Sequence, residues 1–283
     1  MHTTPYPRIL SKVFTEPWEI LPSVHQSLAT ALLDHVRSGR ELTPPQDRAG
    51  LGSDRGSDRF LNPVQISEEH GIAILTIEGV LGKRLSWIES MCGGCDLAWL
   101  DHDIEELSAD DRIETVIFDM DTPGGLAYAS ADTAERILEL SEKKKTIAYT
   151  DTLMASAGYK LAAACREIHS AKGAEIGSIG TMIALVDSSA AYEMDGLELR
   201  LFRDGKYKAL GMPGKPVTED EAAYLQDQVD GLSARFKQFV RDRRPGVSDD
   251  TMQGQTFDGA TAKQRRLVDE NFRDLTDLVA SLL

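Results

Sequence analysis

"TVIFDMDTPGGLAYASADTAERILELSEKKKTIAYTDTLMASAGYKLAAA", Thr115 to Ala164, sets short apolar runs and amphipathic runs in alternation. Thr115–Met120 is β-branched and apolar and stops at Asp-Thr-Pro-Gly-Gly, the pattern of a buried strand ending in a turn. Ser130–Lys145 places Ala134, Ile137, Leu138 and Ser141 on one helical face. Thr146–Thr150 then reads as a second strand, and Met154–Ala164 as a helix of very small residues that Ser156 opens. The rhythm extends outward in both directions. Gly71–Leu81 is a strand and Asp96–Ala109 a helix on the amino-terminal side. Strands at Glu167–Ser170, Met182–Asp187 and Leu197–Phe202 follow, then a long polar helix over Thr218–Arg243 and a short one over Asp274–Leu282. Such alternation predicts an α/β domain with a mainly parallel sheet covered by helices, and no internal sequence repeat accompanies it. Ligands in such sheets sit beyond the carboxyl ends of the strands, where both "DTPGG" and "ASAG" fall.

Upstream, Ser23–Gly39 repeats Val24, Leu28, Ala31, Leu32 and Val36 at helical spacing and needs a partner for that stripe. Pro44–Arg59 is rich in Gly, Ser, Asp and Arg, the composition of a linker. Residues 1–60 therefore read as an amphipathic arm with a flexible linker, and residues 61–283 as the main domain. A net charge of −15 repels nucleic acid and anionic lipid. Three cysteines are too few for a disulfide framework, which points to a reducing compartment. Cys92 and Cys95 lack the second ligand pair that zinc requires, so they read as part of a Gly-rich turn. With neither a secretory leader nor a run of about 20 apolar residues, the expected location is the cytoplasm, without a membrane anchor.

The chemistry centres on Ser156. A serine between a strand and a helix stands near free backbone N–H groups at the positive end of the helix dipole. That is the setting of a strand-turn-helix nucleophile, and Ala155, Ala157 and Gly158 would let a substrate backbone approach it. The same residues also suit tight helix packing with Ser156 as a plain cap. Gly124 and Gly125 form a turn able to aim backbone N–H groups at an oxyanion. For a base, His169 is the nearest of six histidines and has no evident orienting acid. Lysine serves where burial keeps its amine neutral, and two candidates compete: Lys160, four residues on along the same helical face, and Lys208. Spacing alone favours Lys160.

Taken together, "DTPGG", "ASAGY", "IGSIG" (Ile176–Gly180) and "DGKYKALG" (Asp204–Gly211) resemble, in order and interval, the signal peptide peptidase A-like serine peptidases of the ClpP/crotonase superfamily. The resemblance spans roughly residues 64–275 and includes "GQTFDGATAKQRRLVDE" (Gly254–Glu270), while "EPWEILP" (Glu16–Pro22) is similar to the phage and prophage head-maturation branch. It implies Ser156 as nucleophile, Lys208 as general base and Ser178 as the residue orienting that lysine. The N–H groups of Gly125 and Ala157 would form the oxyanion hole, with Gly124 shaping the turn and Lys160 a solvated rim charge. It further implies a ClpP/crotonase-type ββα superhelix with a helical N-terminal arm, homo-oligomers, and serine endopeptidase activity without metal or cofactor. Small or apolar side chains would flank the cut. The missing anchor moves weight from signal-peptide clearance toward a phage scaffold or portal protein as substrate, and the missing carboxyl-terminal scaffold extension makes any scaffold a separate polypeptide. Two rivals stand beside this expectation: a crotonase-like enzyme acting on acyl-CoA thioesters, and a catalytically silent capsid assembly module.

Overall fold

A computed structural model describes residues 12–38, 61–86, 89–90 and 93–283. The expected linker at Pro44–Arg59, and Cys92 with it, lie outside the described residues. Chain order begins with β1 (Trp18–Ile20), α1 (Pro22–Ser38) and β2 (Val64–Ser67). A strand–strand–helix unit then recurs. Its first copy, which carries an extra strand, is β3 (Ile72–Glu78), β4 (Val80–Gly82), β5 (Gly94–Asp96) and α2 (Leu97–Ala109). The second is β6 (Thr115–Asp121), β7 (Gly124–Leu126) and α3 (Ala127–Lys143). The third is β8 (Lys145–Thr150), β9 (Leu153–Ala155) and α4 (Ala157–Ala163), and β10 (Glu167–Ser170) with β11 (Glu175–Gly177) begins a fourth. After these come α5 (Ser189–Met194), α6 (Glu219–Arg243), β12 (Thr256–Asp258), α7 (Gly259–Gln264), β13 (Glu270–Asn271) and α8 (Leu275–Ala280).

The long first strands of each unit build one sheet in the order β13-β10-β8-β6-β3-β2, parallel except where β2 meets β3. The short second strands leave it after a tight turn. With β1, β5 and β12 they form two small sheets, β1-β7-β4-β5 and β12-β11-β9. This is the expected α/β class with its strand–strand–helix winding.

Side-chain alternation explains why the central strands are apolar throughout. In β6, Val116 and Phe118 enter the main core beneath α2, α3 and α4, while Ile117 points to the opposite face. There it joins Ile72, Ile147, Tyr149 and Leu278 of α8, so both faces of the sheet are covered. Leu97, Leu100 and Leu107 of α2 are fully buried, and the helix is started by Asp96, whose carboxylate accepts a bond from the Ala98 N–H. The apolar stripe of α1 finds its partner here. Val24, Leu28 and Leu32 pack on the main core and roof a cavity of about 560 Å³, which Leu81, Leu85 and Leu126 also line.

Three expectations need correction. Helix α4 begins at Ala157 and not Met154, because Leu153–Ala155 pair in parallel with β11. Met182–Asp187 is no strand; Met182 makes a single antiparallel bridge, to Trp18. Leu197–Phe202 is also irregular and mostly exposed. Among the described residues no helix is long and apolar enough to cross a membrane.

Candidate active site

The parallel pairing of β9 with β11 matches Ala155 to Gly177, and the residues just past these ends are the two serines. The Ser156 N–H donates to the Gly177 carbonyl at 2.8 Å, and the Ser178 N–H to the Gln255 carbonyl at 2.8 Å. Both serines hold positive φ, 55° and 52°. At Ser156 ψ is −117°, a conformation that costs an L-residue about 1–3 kcal/mol. What this strain achieves is visible in the hydroxyl: Ser156 caps no helix N–H, is 1% exposed, and its Oγ has no hydrogen-bond partner. A plain N-cap serine would bond the helix it starts. The capping alternative therefore fails on geometry.

The "DTPGG" turn packs directly against this serine. Thr122 bridges to Met154 in parallel, its N–H donating to the Leu153 carbonyl and its carbonyl accepting from the Ala155 N–H. Gly124 has φ +98°, and a Cβ placed on it would stand 2.9 Å from the Ser156 Cβ and 3.0 Å from the Ala157 nitrogen. A Cβ on Gly125 would meet the Leu81 carbonyl oxygen at 1.9 Å, and one on Gly158 the Thr122 Cγ2 at 2.4 Å. The three glycines thus allow the turn, β4 and the start of α4 to close around one hydroxyl. Gly124, Gly125, Ser156, Ala157 and Ser178 are accordingly gathered in one place. A smaller cavity of about 230 Å³, lined by Ser178, Thr181, Met182, Ile20 and Lys237, opens beside them.

Lys208 is not among them. Its side chain is exposed on the turn of Gly205–Leu210, and Ser156 Oγ receives no bond from it. Lys160 departs from its expected rim position in the opposite sense: it is 6% exposed, paired with the fully buried Glu19 and 3.2 Å from Ser130 Oγ. Its Nζ also lies 4.6 Å from the centre of the Phe236 ring. Burial pushes the Lys160 amine below the ordinary lysine range, with Glu19 opposing; burial likewise pushes Glu19 above the ordinary carboxylate range, against Lys160, Ser130 and Thr181. His169 is engaged elsewhere, bonded to Glu167 at 3.0 Å and set edge-on to Phe272.

Glu19, Ser130 and Thr122 are site residues that the sequence reading missed. Thr122 buttresses the turn through its Oγ1, which donates to the Gly79 carbonyl at 2.7 Å and accepts from the Gly124 N–H at 3.2 Å. The signal for Glu19 was its place in Trp-Glu-Ile, a strand-like triplet in which only the central side chain is ionisable.

The model of a family described as peptidase family S49 matches residues 139–282. Capsid assembly protease C of Escherichia phage lambda is 29% identical over 83% of this chain and 55% of its own length. The head-tail preconnector protein GP5 of Enterobacteria phage P21 is 25% identical over 97% of this chain and 57% of its own length. The chain thus spans little more than half the length of these relatives. Among solved structures, a ClpP1 mutant from Listeria monocytogenes superposes with a TM-score of 0.42 at 12% identity, covering 72% of this chain and 94% of that one.

Proposed function

The chain belongs to peptidase family S49, and from that membership we propose that it is a serine endopeptidase that cuts head proteins during phage capsid maturation. Ser156 is the nucleophile and Lys208 the general base. The neutral Lys208 amine takes the hydroxyl proton as Oγ attacks the scissile carbonyl carbon. The charge that develops on the carbonyl oxygen is held by the N–H groups of Gly125 and Ala157. Collapse breaks the C–N bond, the proton passes from Lys208 to the leaving amine, and water later hydrolyses the acyl-enzyme. One observation carries this reading: a buried, unpartnered serine hydroxyl on a strained turn, beside Gly124 and the Ala157 amide.

Lys208 enters this scheme from a neighbouring copy of the chain. Within one chain it stands on an exposed segment that also displays Met194 (88% exposed) and Phe202 (92%), apolar surface of the kind buried between subunits. Ser178 then meets the incoming amine and orients it. The substrate class, head proteins of a phage, is argued from the relatives that are themselves a capsid assembly protease and a head-tail preconnector.

Purified protein incubated with a fluorophosphonate probe and a phage scaffold protein tests this. Labelling at Ser156 and cleavage are expected, both lost in Ser156→Ala. An acyl-CoA enzyme of related fold would leave the probe unreacted. Mixing inactive Ser156→Ala with inactive Lys208→Ala should restore activity, to at most about one quarter in a random dimer-wise assortment; no recovery at any ratio would place both dyad members in one chain.

A further inference from the structure

Strand β1 is buried and runs directly past Gly124, Gly125 and Ser156. It is held on both edges at the site itself. On one side Trp18, Glu19 and Ile20 pair antiparallel with Leu126, Gly125 and Gly124. On the other, the Trp18 N–H and carbonyl exchange bonds with Met182, both at 2.8 Å. Leu21 donates to the Pro123 carbonyl at 2.9 Å and Ala127 to the Pro17 carbonyl at 3.1 Å, so alternation makes Glu19 and Gly125 a hydrogen-bonded pair as well. The N–H of Gly125, assigned above to the oxyanion, therefore faces the Glu19 carbonyl. A Cβ on Gly124 would stand 2.1 Å from that carbonyl oxygen and 2.9 Å from the Ser156 Cβ, so a single absent side chain is all that separates the two.

The Glu19 side chain turns inward from this point. Its carboxylate meets Lys160 from the helix that Ser156 opens, Ser130 Oγ at 3.2 Å and Thr181 Oγ1 at 3.4 Å, and is 0% exposed. A cation, two hydroxyls and the Phe236 ring above the cation form a closed socket for one carboxylate.

We propose that β1 occupies the channel through which a substrate strand passes, with Glu19 in the place of the residue whose carbonyl is attacked. Lys160, Ser130 and Thr181 are then specificity residues selecting a glutamate immediately before the cut bond, and the chain's own Pro17–Leu21 segment holds the channel closed. This rests on the peptidase reading above and adds to it a substrate class and a resident competitor. It also replaces the small or apolar preference that the sequence resemblance implied.

The test compares wild type, Glu19→Gln and the charge-free double variant Glu19→Gln with Lys160→Met. Each is given a fluorophosphonate probe and internally quenched peptides built on Pro-Trp-X-Ile-Leu, with X as Glu, Gln or Leu. Glu19→Gln should label Ser156 about tenfold faster than wild type, the equivalent of losing one charge-assisted hydrogen bond from the resident strand. It should hydrolyse the Glu peptide with kcat/KM at least about tenfold above the Leu peptide, mostly through KM. The double variant, which leaves no buried charge unpaired, should reverse that order. Wild-type labelling rates in Glu19→Gln, or equal kcat/KM for Glu and Leu peptides, would overturn the inference while leaving the peptidase intact. Absence of labelling in every variant would overturn both.

Discussion

Ser156 holds a backbone conformation that glycine adopts more readily than serine, and its hydroxyl is buried without a partner. Stability and reactivity are thus opposed at one residue. Ser156→Ala keeps the strained φ and ψ, whereas Ser156→Gly relieves them, so the glycine variant should be the more stable by about 1 kcal/mol while both are inactive. Urea titration of the pair measures the difference; a less stable glycine variant would mean that the turn stores no strain. The reverse holds at Gly158, where an added Cβ meets Thr122 Cγ2 at 2.4 Å. Gly158→Ala should cost about 1–3 kcal/mol, as overpacked sites do, and slow labelling of Ser156 by moving α4 from the "DTPGG" turn. At this scale the sequence was readable where a residue type has one use. Gly124, Gly125 and Ser156 stood out as small residues at strand ends, whereas Ser178 came only from the family resemblance. Lys160 was misjudged because a lysine on an amphipathic stretch is ordinarily solvated, and only the tertiary position of Glu19, 141 residues earlier, makes it buried.

Among the elements, α6 illustrates how a long polar helix is held. Thr218 and Glu221 form a capping box, and the Glu221 carboxylate also pairs with Lys215. Those bonds pull the Glu221 carboxyl from its ordinary value of 4.5 down to about 2. A lowered acid contributes stability that is complete above its unfolded pKa and is lost as pH falls through the folded one. Glu221→Gln should therefore destabilise the protein by about 1 kcal/mol at pH 7, and the gap to wild type should close between pH 4.5 and 2. Denaturant midpoints across that range check the sign; a gap that widens in acid would refute it. Helices and buried parallel strands were legible because period and apolarity are local properties, as in Thr115–Met120 and Thr146–Thr150. The short second strands were not. Leu153–Ala155 and Gly124–Leu126 are three residues long, and only partners elsewhere in the chain make them strands. Met182–Asp187 and Leu197–Phe202 failed in reverse: their composition is strand-like, yet the first pairs only through the Met182–Trp18 bridge and the second is irregular.

For the molecule as a whole, the acidic surface and the exposed apolar residues of 186–202 pull in different directions. Net charge of −15 keeps copies apart, while Val186, Met194, Leu197 and Phe202 offer a surface to bring them together. If Lys208 is supplied by a neighbouring copy as proposed, Phe202→Asp should lower the mass seen by light scattering and reduce peptidase activity in parallel, because that lysine would be lost with the contact. Salt should strengthen association of the wild type by screening its charge. Unchanged mass with lost activity would separate the two effects and count against a subunit-shared dyad.

The double-edged seating of Trp18 bears on how such a groove can be blocked. If the segment leaves, main-chain donors and acceptors of Gly125 and Met182 lose their partners at once, and an apolar plug cannot replace them. On the proposal above, inhibitors with extended backbones that mimic a third strand, tipped with one acidic side chain, are the ligands that the vacated channel would accept.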